Sequence, residues 1–301
     1  MDKWNELIVS IKAGDFKSTA RAITIIENEL EGYEEILFEL SSSSSTPIIG
    51  ITGPPGAGKS TLMNALVNYF TGKNKKIAVV AVDPTSPFNY GSLLGDRLRL
   101  SSFFNHPGVF IRSLASRGSL GGLSEKIIEV TDLLRNSNFD YIFVETVGVG
   151  QSEVEIAGLA DTTVVVFVPE SGDDIQTMKS GIMEIADIFV VNKCDREGAD
   201  RFASNLQHLI RAKKNNDWVV PVVKTSATNN EGIEEVVIQL EKHQSANTGN
   251  EKKIFLLAEK AYRLLQRNRM KGINKEIIQR SLEKTYEQPT FNLYKWVKTF
   301  D

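Results

Sequence analysis

Hydrophobic positions divide the chain into strand-length apolar runs that alternate with stretches of helical spacing. Ile48–Ile51, Ile77–Val82, Val109–Ile111, Tyr141–Val144, Thr162–Val168, Ile188–Val191 and Val219–Val223 are largely continuous apolar runs, as in strands covered on both faces. Between them, Leu62–Phe70, Leu123–Leu134, Ile175–Ile185, Phe202–Lys213 and Ile233–His243 carry apolar residues at helical intervals. The alternation predicts an α/β fold, a mostly parallel sheet with helices on both faces. Ligands of such sheets sit beyond the carboxyl ends of the strands. That places site residues among the polar positions closing the runs, namely Asp83, Glu145, Asn192 and Ser226.

Helical patterns flank this region. Leu7, Ile8 and Ile11, then Ala20, Ala22, Ile23, Ile26 and Leu30, predict N-terminal helices broken at Gly14-Asp15. The serine run Ser41–Ser45 reads as a linker, and the polar stretch Gln244–Glu251 as a second. Beyond it, Ile254–Leu265 and Lys275–Tyr286 read as amphipathic helices. The expected organisation is an N-terminal helical segment with its linker over 1–45, an α/β domain over 46–245 and a C-terminal helical arm over 246–301. The arm is too small to bury a core alone, so it folds back or meets a second subunit.

Composition narrows the function classes. Of 301 residues, 41% are hydrophobic and 24% charged, ordinary for a globular chain. A formal net charge of −3 supplies no global basic field for nucleic acid or anionic membrane. The single cysteine, Cys194, excludes an internal disulfide framework and a cysteine-cluster metal site. The apolar runs are too short to span a bilayer, and residues 1–20 lack the apolar core of a secretory signal. A cytoplasmic location is expected, or a mitochondrial one after removal of a transit peptide.

The candidate chemistry centres on Gly53-Pro54-Pro55-Gly56-Ala57-Gly58-Lys59-Ser60-Thr61, which fits G-x-x-x-x-G-K-[ST] between a strand pattern and a helix pattern. In that context glycines turn backbone N–H groups around a phosphate, and the new helix adds the positive end of its dipole. Lys59 is expected to reach the β- and γ-phosphates, and Ser60 to take a Mg²⁺ position. The fold class is therefore that of P-loop NTPases. Asn192-Lys193-Cys194-Asp195, matching N-K-x-D after a buried strand, selects the base. A carboxylate at Asp195 accepts from both N1–H and the exocyclic amine of guanine, a donor pair that adenine lacks. Asn192 is expected to tie this loop to the P-loop, the Lys193 stem to cover the base, and Ser226 and Ala227 to add a backbone contact. GTP and GDP are the expected ligands.

Glu145-Thr146-Val147-Gly148 stands where many GTPases carry Asp-x-x-Gly. It assigns Glu145 to Mg²⁺ and the Gly148 N–H to the γ-phosphate, with Asp83 and Asp96 as further carboxylates for the metal. The residue after Gly148 is Val149, which cannot orient an attacking water, and Gln151 is the candidate substitute. Slow intrinsic hydrolysis, accelerated by a partner or second subunit, follows. Arg97, Arg99, Arg112 and Arg117 are candidates for stabilising transition-state charge, with surface or structural ion pairs as the alternative for Arg99 and Arg112. Glycine density in Arg117–Gly122 and Glu145–Gln151 suits loops that order on a γ-phosphate. Ser171–Asp174 reads either as a third such loop or as a helix N-cap with an acidic first turn.

Together these residues resemble the MeaB/ArgK family of P-loop GTPases. The likeness is carried by Gly53–Thr61, VDPTSP at 82–87, GSLLGDRLRL at 91–100, SRGSLGG at 116–122, ETVGVGQSE at 145–153 and GDDIQTMKSGIMEIADIFVVNKCD at 172–195. It extends upstream to AGDFKSTARAITIIEN at 13–28. Leu98 and Leu100 depart from the hydroxylated residue and methionine expected in the LGD stretch, and the C-terminal arm diverges. The resemblance implies a GTPase chaperone that gates cofactor loading and protects an adenosylcobalamin-dependent acyl-CoA mutase, typically methylmalonyl-CoA mutase. It also implies a homodimer with the C-terminal helices at its interface. Lys59, Asp83, Asp96 and Glu145 match the family's nucleotide and magnesium residues, and Ser171–Gly181, with Lys179, matches a loop coupling nucleotide state to the mutase. His106, His208 and His243 lie in no Asp-x-His-x-x-Gly cobalamin-ligand motif, which leaves the cofactor with the partner. Two other readings are a nickel-type metal-insertion GTPase, which wants a His-rich tract absent here, and a P-loop kinase, against which N-K-x-D argues.

Overall fold

The computed structural model describes residues 3–41, 45–83, 85–86, 89–92, 100–115, 124, 126–146, 156–171, 182–211, 218–246, 250–273, 275–288 and 290–298. The chain divides into two compact units, Met1–Lys252 and Lys253–Asp301.

In the first unit the apolar runs become the strands β1 (Ile48–Thr52), β2 (Ile77–Asp83), β5 (Val109–Ala115), β6 (Tyr141–Glu145), β7 (Thr162–Phe167), β8 (Ile188–Asn192) and β9 (Val222–Thr225). They form one sheet in the order β5-β2-β6-β1-β7-β8-β9, with every pairing parallel. β1 is central. The chain builds outward from it to β2 and β5, returns through β6, and then proceeds to β7, β8 and β9. The crevice where strand order reverses, beyond the carboxyl end of β1, is where open parallel sheets bind ligands. β1, β7 and β8 are buried along their whole length, which is why their sequences lack polar alternation. A short antiparallel pair, β3 (Thr85–Ser86) and β4 (Asn89–Ser92), follows β2 and has no apolar signature to announce it.

Helix α4 (Lys59–Gly72) packs Leu62, Met63, Leu66 and Phe70 into the core beside Phe143, Val164 and Val190. α8 (Ile233–Ala246) joins the same core through Ile233, Val236 and Leu240, α5 (Ile127–Arg135) buries Ile127, Val130, Leu133 and Leu134, and α6 (Ile182–Ile185) and α7 (Ala199–Arg211) lie between β7 and β9 in the chain. On the other face Phe167 stacks on Phe189 and meets Phe202 of α7 edge-on.

The N-terminal pattern resolves into three helices, α1 (Lys3–Lys12), α2 (Phe16–Glu27) and α3 (Tyr33–Phe38). The break at Gly14-Asp15 is a capped one, with the Asp15 carboxylate accepting from Ser18 N at 2.8 Å. A second break falls at 28–32, where the apolar spacing continues into Leu30 although Glu29 adopts a left-handed φ of 47°. Phe16 of α2 packs against Phe110 and Phe139, and ion pairs join Glu27 to Arg112 of β5 and Glu29 to Lys126 at the start of α5.

Three expectations need correction. Residues 219–221 are not strand: Val219 is 76% exposed and β9 begins only after Pro221, which has no N–H for the ladder. Gln244–Ala246 belong to α8 rather than to a linker, because buried His243 keeps the last turns of that helix on the sheet. β5 is longer than its apolar core, extending through Arg112 to Ala115 as the outermost strand of the sheet.

The second unit is helical, with most of α9 (Asn250–Arg269), then α10 (Lys275–Glu283) and α11 (Leu293–Val297). α10 and α11 bury no residue, and Ile254, Phe255, Leu257, Tyr262 and Leu265 of α9 are exposed. Among the described residues, no helix is long and apolar enough to cross a membrane.

Candidate nucleotide site

The loop between β1 and α4 is shaped by glycines for which nothing larger would serve. Gly53 has φ 139°, and a Cβ there would lie 2.2 Å from Val166 O. Gly58 caps α4 at φ 86°, and a Cβ there would lie 2.3 Å from Asn192 Nδ2. Any side chain at either position would force backbone or a buried amide to move. The helix so begun starts at Lys59, and N–H groups of a first helical turn have no acceptor within the helix. Such an end favours an anion.

Lys59 Nζ donates to Gly53 O at 2.9 Å and Pro54 O at 3.1 Å, so its ammonium lies across the mouth of the loop. Ser60 Oγ donates to Glu145 Oε1 at 2.7 Å, joining the start of α4 to the carboxyl end of β6. All three side chains are buried. The Ser60 and Glu145 oxygens are hard donors, and Mg²⁺ is held by one or two such protein groups together with substrate phosphates. The donor set fits that ion. Among the described residues, no group of three or more His, Cys, Asp or Glu could hold a metal by itself. Asp83 closes β2, whose Ala81 pairs with Glu145, so its backbone stands two residues beyond Glu145 on the adjacent strand. Asp96, Gly148 and Gln151 lie outside the described residues, as do Arg97, Arg99, Arg117 and Lys179.

Asn192 is the junction of the site. Its Nδ2 donates to Ala57 O of the P-loop at 3.0 Å, and its Oδ1 accepts from Thr225 Oγ1 and Ala227 N, each at 3.1 Å. Lys193, at a left-handed φ of 57°, lays its stem along the loop and donates from Nζ to Gly56 O at 2.8 Å. Asp195 Oδ1 accepts from Ser226 Oγ at 2.7 Å. That hydrogen bond, ahead of a backbone donor and the nearby Arg196 and Lys193 charges, holds the carboxyl below the usual aspartate range, so it is an anionic acceptor at neutral pH. Ser226 N donates to Glu231 O and Ala227 N to Asn192. Ser226 thus orients the Asp195 carboxylate, and Ala227 the Asn192 amide. Burial, ahead of Glu231 and Asp195, pushes the Cys194 thiol up.

Arg112, a candidate for transition-state charge, is instead held by Glu27 and by Thr24 at 3.3 Å in the N-terminal helices. The described histidines are structural or exposed. His243 bonds Thr162 at 2.9 Å and pairs with Asp187 at 3.1 Å, His106 accepts from Gly108 N, and His208 is exposed. Sequence reasoning missed the buried hydroxyl pair Thr52–Thr146, whose only signal is a threonine immediately before Gly53 and another immediately after Glu145.

Comparison with known proteins agrees with this geometry. The family model described as methylmalonyl Co-A mutase-associated GTPase MeaB matches residues 19–284. A Pyrococcus abyssi protein provisionally assigned as a GTPase is 49% identical over 245 residues, covering 80% of this chain and 76% of that one. The mitochondrial methylmalonic aciduria type A homolog of Caenorhabditis elegans is 32% identical over 256 residues, covering 78% of this chain and 64% of that one. A solved structure described as an LAO/AO transport system kinase superposes with a TM-score of 0.74 over 100% of this chain and 97% of that one. At 22% identity it bears on the fold alone. With a P-loop, a buried Ser60–Glu145 contact and an N-K-x-D loop held to the P-loop at Ala57 and Gly56, the chain belongs to the MeaB family of GTPases.

Proposed function

We propose that this GTPase is a chaperone of an adenosylcobalamin-dependent acyl-CoA mutase, methylmalonyl-CoA mutase foremost, and that guanine-nucleotide state gates cofactor loading and protects the client. The observation that supports the nucleotide part of the reading is Asn192, whose amide joins the N-K-x-D loop to Ala57 of the P-loop and to Thr225, while Ser60 of the same P-loop meets Glu145. The family description, which names a mutase-associated GTPase, supports this choice of client.

In this reading Asp195 accepts from the guanine edge, Lys193 flanks the base, and the residues from Gly53 to Thr61 surround the phosphates. Lys59 offsets charge on the β- and γ-phosphoryl oxygens. Ser60 and Glu145 hold Mg²⁺, with Asp83 and Asp96 reaching the ion or its waters. When bound, the ion neutralises charge that develops on the phosphoryl oxygens. Gly148 meets the γ-phosphate and Gln151 orients water. With Val149 in place of a glutamine, intrinsic turnover is slow and the client accelerates it. Ser171–Gly181, with Lys179, relays the nucleotide state. The exposed apolar residues of α9 support a homodimer in which the arm from 246 onward meets a second copy.

The test is phosphate release from GTP with and without a cobalamin-dependent acyl-CoA mutase and its cofactor. Acceleration by the mutase is expected. A rate unchanged at saturating mutase would remove the client from this account and leave the GTPase.

A further inference from the structure

β1 ends at Thr52, immediately before Gly53, and β6 ends at Glu145, immediately before Thr146. The parallel pairing of these strands runs from Ile48↔Ile142 to Ile51↔Glu145 and stops. One step further, Thr146 N donates to Ile51 O at 3.1 Å and Thr146 Oγ1 donates to Thr52 Oγ1 at 2.9 Å. Both side chains are buried, Thr52 at 0% and Thr146 at 1% exposure. The hydroxyl pair thus joins the chain leaving for the P-loop to the chain leaving for Gly148, at the level where both depart from the sheet.

Strand formation does not call for these hydroxyls. Valine fits a buried strand at least as well, and the neighbouring strands use it at Val80, Val82 and Val144. A buried hydroxyl is unfavourable unless it is hydrogen-bonded, so two of them in this position imply a requirement for the bond itself. We propose that Thr52 and Thr146 are positioning residues for GTP hydrolysis. They hold the end of β6 in fixed register with the start of the P-loop, so Glu145 stays within reach of Ser60. Thr146 acts through its chain neighbour Glu145, and Thr52 through Gly53. Misplacing a reacting or metal-holding group by a fraction of an ångström slows chemistry more than it weakens binding. The inference rests on the reading of Glu145–Gly148 as the γ-phosphate side of the site.

The experiment compares Thr52→Val, Thr146→Val, the double variant and Thr146→Ser for melting temperature, GDP affinity, kcat and KM. Each single valine strands one buried hydroxyl and lowers both melting temperature and kcat. The double variant removes both polar groups, so the penalty for an unpaired hydroxyl disappears and the melting temperature returns. If the bond positions, kcat of the double variant stays down by about fivefold, the worth of one such bond. GDP affinity should stay within about twofold, since neither hydroxyl contacts the nucleotide in this account. Thr146→Ser keeps the donor and should preserve kcat. Recovery of kcat together with melting temperature in the double variant would make the pair merely structural and overturn the proposal. So would a loss of GDP affinity in step with kcat, or a serine variant as slow as the valine one. Glu145→Gln, assayed alongside, tests the parent reading by itself. If it hydrolyses GTP as well as wild type, that reading fails whatever the threonines do.

Discussion

Replacing Asn192 by alanine should cost this protein both folding stability and nucleotide affinity. The side chain is 2% exposed and makes three hydrogen bonds, to Ala57 O at 3.0 Å and from Thr225 Oγ1 and Ala227 N at 3.1 Å. Each is neutral and worth about 1 kcal/mol net, giving about 3 kcal/mol for the set, with a range of about 2–4 because alanine leaves buried partners unmatched. The loss divides between folding and ligand binding, since the same amide supports the loops in both states. Urea unfolding without nucleotide and calorimetric titration with GDP measure the two parts, and their sum should fall in that range. The GDP part alone should reach about tenfold in Kd, corresponding to about 1.4 kcal/mol. Asn192→Asp keeps an acceptor for Thr225 and Ala227 but sets a buried carboxylate oxygen against Ala57 O, so it should cost at least as much as alanine. If alanine changes neither quantity by more than about 0.5 kcal/mol, the scale of a neutral surface substitution, the junction does not hold the site together.

Asp195→Asn should lower GTP affinity by at least about tenfold and improve binding of xanthosine triphosphate, because an amide offers the donor that xanthine requires; an unchanged preference would remove the guanine assignment. The Asp195 carboxyl, held low chiefly by Ser226, should titrate below the ordinary aspartate value of about 3.9 in an NMR pH series. Because the folded state binds that proton less readily than the unfolded chain, the stability it confers is present above that value and is lost as pH falls through the folded midpoint. Ser226→Ala should move the midpoint upward, and an unmoved midpoint would remove Ser226 as the cause. Glu27→Ala should destabilise the protein by about 1–3 kcal/mol by leaving the half-buried Arg112 guanidinium without its carboxylate. A change under about 0.5 kcal/mol in urea unfolding would show that α2 is not fastened to β5 there.

The parallel sheet was legible because Ile48–Ile51, Ile188–Val191 and their neighbours are apolar without alternation, which only burial on both faces allows. The P-loop and N-K-x-D were legible because their chemistry is local in sequence. What remained hidden depends on tertiary partners. No periodicity marks the hairpin β3–β4, and the strand run at Val219 misled because Pro221 outweighed local β-propensity. The fate of Arg112 was undecidable from sequence, since its carboxylate comes from Glu27, far away in the chain. The bonds from Ser226 to Asp195 and from Ala227 to Asn192 join residues about thirty positions apart, and no local pattern announces them.

The most direct test is phosphate release from Mg²⁺-GTP and, separately, Mg²⁺-ATP by the wild-type protein and by Lys59→Ala, with the mutase present and absent. Wild type should release phosphate from GTP and not from ATP, and Lys59→Ala should release it from neither. Equal use of ATP, or wild-type turnover of GTP by Lys59→Ala, would contradict a guanine-specific site built on this P-loop.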